Sequence, residues 1–116
     1  MKALLGITMV IALTLLPTIA LAQDDNMSPY RKLAAETLSA FKAHDMPTAK
    51  KKARELEVAY DKGEKALQKK SPDVWGQIDK AMDAFIKPVM KEKSPDPAKV
   101  QATYDAFIAK LQLAVK

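Results

Sequence analysis

Few side chains in this 116-residue chain are equipped for chemistry. It has a single histidine, His44, followed by Asp45, and no cysteine. Without thiols there can be no disulfide scaffold, zinc ribbon, iron–sulfur cluster, covalently attached haem or lipid-modified N-terminal Cys. A hydrolytic triad needs a serine in reach of the histidine and a tight glycine-containing turn to expose it. Ser39 lies five residues from His44, off its face if the segment is helical, and the only glycines are Gly6, Gly63 and Gly76. No phosphate-cradling loop can be assembled from these three. No set of catalytic roles is filled, so the expectation is a protein that is not an enzyme.

Metal chemistry is limited in the same way. Asp79 and Asp83 stand one helical turn apart, as do Glu57 and Asp61, but both pairs fall off the apolar stripes and beside Lys80 and Lys62, where solvated carboxylates are expected. A carboxylate-bridged bundle site needs inward Glu-x-x-His pairs, and the chain has none. A softer set is available in His44, Met46 and Met90, which the topology described below brings to one end of the molecule. Imidazole and thioether suit Cu(I), so a copper-binding protein is one alternative reading, against methionines that merely fill gaps under loops.

Charge position carries the stronger signal. Residues 42–54 hold Lys42, Lys50, Lys51, Lys52 and Arg54 against Asp45, and residues 87–99 hold Lys87, Lys91, Lys93 and Lys99 against Glu92 and Asp96. Nine basic against three acidic side chains make these segments far more positive than the whole, whose formal charge is +5. Lys87 and Lys91 oppose a helix dipole favourably, but Lys50, Lys51 and Lys52 fall in the first turns of a helix, where cations are unfavourable by about 0.3–1 kcal/mol each. That local cost, together with free N–H groups at two helix starts, points to an anionic partner. The expected anion- or partner-binding residues are Lys50, Lys51, Lys52, Arg54, Lys87, Lys91 and Lys93. The partner expected is an acidic protein or an anionic envelope component, including peripheral contact with a membrane surface. Nucleic acid is not expected, because no aromatic residues interleave these lysines. The bland alternative is a purely structural envelope protein with a solvated basic face.

These residues must be positioned by helices. Ser28-Pro29, Asp45-Met46-Pro47, Ser71-Pro72-Asp73 and Ser94-Pro95-Asp96 each read as a helix start, with a Ser or Asp cap and a Pro in the first turn. Apolar residues then return every three or four positions. The stripes are Tyr30, Leu33, Ala34, Thr37, Leu38, Phe41; then Ala49, Ala53, Leu56, Tyr60, Gly63, Leu67; then Trp75, Ile78, Met82, Phe85, Val89; and last Val100, Tyr104, Phe107, Leu111, Val115. Helices are expected near 29–43, 47–69, 72–89 and 95–115. Short connections predict an all-α, antiparallel, up-down-up-down four-helix bundle. Pro88 is expected to kink or end the third helix near Lys87, leaving 89–93 irregular. An echo links Lys70-Ser71-Pro72-Asp73 and Asp83-Ala84-Phe85-Ile86 to Lys93-Ser94-Pro95-Asp96 and Asp105-Ala106-Phe107-Ile108, as shared caps and core stripes would produce without duplication.

The N-terminus is written differently from the rest. Lys2 precedes an uncharged stretch over 4–22 with Pro17 and an Ala20-Leu21-Ala22 site, the pattern of a secretory signal peptide cleaved before Gln23. Residues 1–22 are therefore read as the signal and 23–116 as a single helical-bundle domain, periplasmic or secreted. With the export signal, size and topology, Asp24-Asp25-Asn26-Met27 resembles the mature start of soluble periplasmic b-type cytochromes. In that family an N-terminal Met and a His on the last helix ligate the iron. The resemblance gives Met27 the first role, but 100–116 has no His, so haem is not implied and no cofactor is expected. The Leu-Thr-x-x-Gln repeats of small periplasmic helical chaperones are absent as well.

Overall fold

Each apolar stripe becomes one side of a helix. The structure, a computed structural model, describes residues 26–114, and those residues are all-α with no strand. Four helices occur among them: α1, Ser28–Lys42; α2, Met46–Lys70; α3, Pro72–Lys91; and α4, Pro97–Gln112. Each packs on the next, and α1 also touches α4. The stretch over 1–22 expected to be a signal peptide, with Asp24, Asp25 and Val115, lies outside the described residues. None of the described helices is long and apolar enough to cross a membrane.

The starts are set by aspartate more than by serine. Asp45 Oδ1 accepts from the Thr48 N–H at 3.2 Å and Asp96 Oδ1 from the Ala98 N–H at 3.2 Å, each capping its helix. Neither serine start makes a side-chain cap bond: Met27, not Ser28, stands at the cap of α1, and Ser71 caps α3 through its backbone alone. The fourth helix begins later than expected, at Pro97, because Asp96 takes the cap and leaves Ser94-Pro95 in the connection. The two Lys-Ser-Pro-Asp runs therefore have different roles, although Phe85 and Phe107 of the echo do meet in the core, stacked at 6.3 Å.

Pro88 corrects a second expectation. It removes one backbone donor, yet α3 runs through it to Lys91, and the Pro88 carbonyl accepts from the Glu92 N–H at 3.0 Å. The reason is packing. Pro88 is buried with Ile86 and Val89, so ending the helix at Lys87 would expose that apolar surface.

The core is contiguous: Ala34 and Leu38 from α1, Ala49, Ala53, Leu56, Tyr60 and Leu67 from α2, Ile78, Met82, Phe85, Ile86 and Val89 from α3, and Val100, Phe107 and Leu111 from α4. The small residues Ala34, Ala49 and Ala53, all fully buried, let α1 and α2 approach closely. Two polar groups inside are satisfied by backbone carbonyls: Thr37 Oγ1 donates to the Leu33 carbonyl of its own helix at 2.8 Å, and Tyr60 Oη of α2 donates to the Trp75 carbonyl of α3 at 3.0 Å. Gly63 makes room on α2 for the Tyr30 hydroxyl, whose ring meets Tyr60 edge-on at 5.7 Å.

Candidate functional site

One cavity gathers residues from both connections. The end of α1 (Leu38, Phe41, Lys42), the turn residue His44, Met46 of α2, the α3–α4 connection (Lys93, Ser94, Pro95) and the start of α4 (Pro97, Gln101) line about 400 Å3. Its floor is mostly apolar, no carboxylate lines it, and its charged side chains are Lys42 and Lys93. Both lysines are exposed, and among the described residues neither is held in an ion pair.

The backbone delivers His44 to this cavity in an unusual conformation. The Asp45 N–H donates to the Ala40 carbonyl at 2.9 Å and the His44 N–H to the Phe41 carbonyl at 3.0 Å, the paired bonds of a Schellman ending. That ending requires a left-handed residue, normally glycine, and here it is His44 at φ 61°. Asp45 then caps α2 at once, so α1 closes and α2 opens across three residues. The aspartate caps also correct the idea that two helix starts at this end offer free N–H groups to an anion, since Asp45 and Asp96 each occupy one.

The predicted basic set divides in two. Lys52 is half-buried and bridges Glu36 of α1 at 3.4 Å and Glu55 at 3.5 Å. Its ammonium pKa is raised, first by the hydrogen bond to Glu36, then by the Coulomb fields of Glu36 and Glu55. The lysine run at the α2 start is thus not without local benefit: its third member ties α1 to α2. Lys87 lies 4.0 Å from Asp83, an exposed one-turn pair. Lys50, Lys51, Arg54, Lys91 and Lys93 are exposed, with no ion pair among the described residues. Lys51 and Arg54 flank Val58 on the outer face of α2, away from the cavity. Sequence reasoning missed Lys42 as a cavity residue, and also the apolar floor of Leu38, Phe41, Pro95 and Pro97. The proline-rich connection beside a histidine turn was the available signal.

Of the soft-metal candidates, His44 and Met46 share the cavity, whereas Met90 packs against the core and is not in its lining. Met27, the residue singled out by the cytochrome resemblance, is buried at the start of α1. Among the described residues no group of three or more His, Cys, Asp or Glu could hold a metal ion. Of the carboxylates expected to be solvated, Asp61 is exposed and Asp79 is not. Asp79 is half-buried, and burial raises its pKa, with Asp83, Glu64 and Asp61 adding to the rise. Burial likewise pushes the Tyr60 hydroxyl above its usual range, with Asp79 and Glu64 contributing.

No family model matches the chain, nor does any curated protein or solved structure. The site must speak through its own chemistry.

Proposed function

We propose that the protein is a small exported, non-enzymatic binding protein with a basic cap for an anionic partner. In this reading the described domain is an antiparallel up-down-up-down bundle released from a signal peptide over 1–22 into the periplasm or medium. Side-chain pairs support the antiparallel order: Glu36 meets Lys52 while Tyr30 meets Tyr60, and Phe85 meets Tyr104 while Gln77 meets Lys110. N-terminal sequencing of the exported protein is expected to start at Gln23, and retention of Met1 would overturn the cleavage.

The carrying observation is that Lys42, at the end of α1, and Lys93, in the α3–α4 connection, flank one cavity without a carboxylate in its lining. Cations without an ion pair among the described residues, gathered at one end, create a field that attracts and orients anions. The test is retention on anionic vesicles as salt is raised. Replacing Lys42, Lys91 and Lys93 with Gln is expected to abolish salt-sensitive retention, while Lys52 is left intact because it joins two helices. Unchanged retention would reduce the basic end to a solubilising surface in a structural protein.

A second reading has a specific observation of its own, the shared placement of His44 and Met46 in the cavity. It makes the protein a Cu(I) carrier using imidazole and thioether donors. A Cu(I) competition titration is expected to lose stoichiometric binding in His44→Ala and Met46→Leu. Absence of binding in the parent protein ends this reading without touching the basic cap.

A further inference from the structure

We infer that the cavity between the α1–α2 turn and the α3–α4 connection binds a small amphipathic carboxylate, its apolar body on Leu38, Phe41, Met46 and Pro97 and its acidic head between Lys42 and Lys93. This inference rests on the basic-cap reading and gives that cap a ligand class.

Three observations converge on it. The volume, about 400 Å3, falls at the small end of ligand pockets. The lining favours a ligand of two parts: a bare inorganic anion would leave the partly buried Phe41 and Met46 uncovered, and a neutral hydrocarbon would gain nothing from the charges of the exposed Lys42 and Lys93. The acidic residues of the two connections do not cancel those lysines, because among the described residues Lys42 and Lys93 form no ion pair, and Asp45 and Asp96 turn an oxygen to the helix N–H groups of Thr48 and Ala98. The third observation is His44. Glycine would sit at φ 61° without strain, and the chain instead holds an imidazole there, in the wall of the cavity. Left-handed strain collects at ligand clamps, so in this inference the His44 imidazole lies against the ligand.

The ligand is a free molecule, not a lipid drawn from a bilayer. The cavity is walled by both connections, and an acyl chain with its own carboxylate fills floor and rim together. The probe is decanoate, titrated calorimetrically into the purified protein below its micelle concentration, with decanol and acetate as controls. Saturable one-to-one binding of decanoate is expected. Decanol and acetate are each expected to bind at least about tenfold more weakly, because each lacks one half of the recognition. Lys42→Gln with Lys93→Gln is expected to weaken decanoate by about tenfold or more. Ser94→Trp, at an exposed cavity residue that caps no helix, is expected to block the cavity and abolish binding while leaving the urea midpoint unchanged.

Decanol binding as tightly as decanoate would overturn the carboxylate assignment, and so would decanoate binding indifferent to both lysines. No decanoate binding, with vesicle retention still dependent on Lys42 and Lys93, would overturn this ligand and leave the basic cap standing. Loss of both would overturn the two together.

Discussion

Gly63 and Gly76 look alike in the sequence and are opposites in the structure. Both sit inside helices, where glycine costs about 0.8–1.0 kcal/mol relative to alanine. A methyl group at Gly76 would meet nothing within 4 Å, so Gly76→Ala is expected to stabilise by about that amount. A methyl group at Gly63 would collide with the Tyr30 hydroxyl, so Gly63→Ala is expected to destabilise by about 1–3 kcal/mol. Tyr30→Phe removes the obstructing oxygen, and in that background Gly63→Ala should change sign; additivity in urea denaturation would refute the contact. His44 is the mirror case, since His44→Gly relieves the left-handed strain and is expected to stabilise by about 1 kcal/mol while weakening decanoate binding. Asp79 supplies a pH dependence. Its folded pKa lies above the ordinary 3.8, so ionisation penalises the folded state, fully above the folded pKa and not at all below the unfolded one. Asp79→Asn is therefore expected to raise the urea midpoint at neutral pH, and the gain should vanish as pH falls below that ordinary value.

At the scale of elements, the periodic stripes were legible because a helix that buries one side must repeat every three to four residues. Leu56, Ile78, Met82, Phe85, Val100, Phe107 and Leu111 were all readable as core in this way, and all are buried. The boundaries were less so, because Ser-Pro and Asp-Pro carry similar capping information and only tertiary placement chooses between them. Ser94 and Asp96 compete for one helix start, and the carboxylate, which bonds the Ala98 N–H, takes it. The expectation that follows is asymmetric: Asp96→Ala should cost about 0.5–2 kcal/mol in thermal or urea unfolding, and Ser94→Ala almost nothing. Equal effects would restore the earlier start. Pro88 was misread for a related reason. Its local cost in a helix interior, about 3 kcal/mol, was visible in the sequence, whereas the burial of Ile86, Pro88 and Val89 that offsets it was not. The cavity was half legible: charge runs showed which end was basic, but only the fold could show that Lys52 is paired, that Lys42 and Lys93 form no ion pair among the described residues, and that Phe41 and Pro97 line the same cavity as these two lysines.

At the scale of the whole molecule, the described residues share one core, with little redundancy. Without cysteines it depends on burial, and a domain near ninety residues has a net stability of only about 5–13 kcal/mol. Leu56 sits fully buried in α2 within the contiguous apolar cluster, while Val58, two residues on, is 47% exposed on the outer face. Truncating Leu56 to Ala should leave a void that fully packed neighbours cannot close, costing about 2–5 kcal/mol. Truncating Val58 to Ala removes a side chain already half in water and replaces a β-branched residue with the best helix former, so the two effects nearly cancel and the change should stay within about 0.5 kcal/mol. Denaturation followed by far-UV circular dichroism checks both. The first variant is expected to lose much of the domain's stability and the second to overlay the parent. Charge then isolates the site: Lys51 and Arg54 share the outer face of α2 with Val58, so Lys51→Gln with Arg54→Gln is expected to leave salt-sensitive vesicle retention close to parental, whereas a loss as large as that from replacing Lys42, Lys91 and Lys93 would move the partner onto α2.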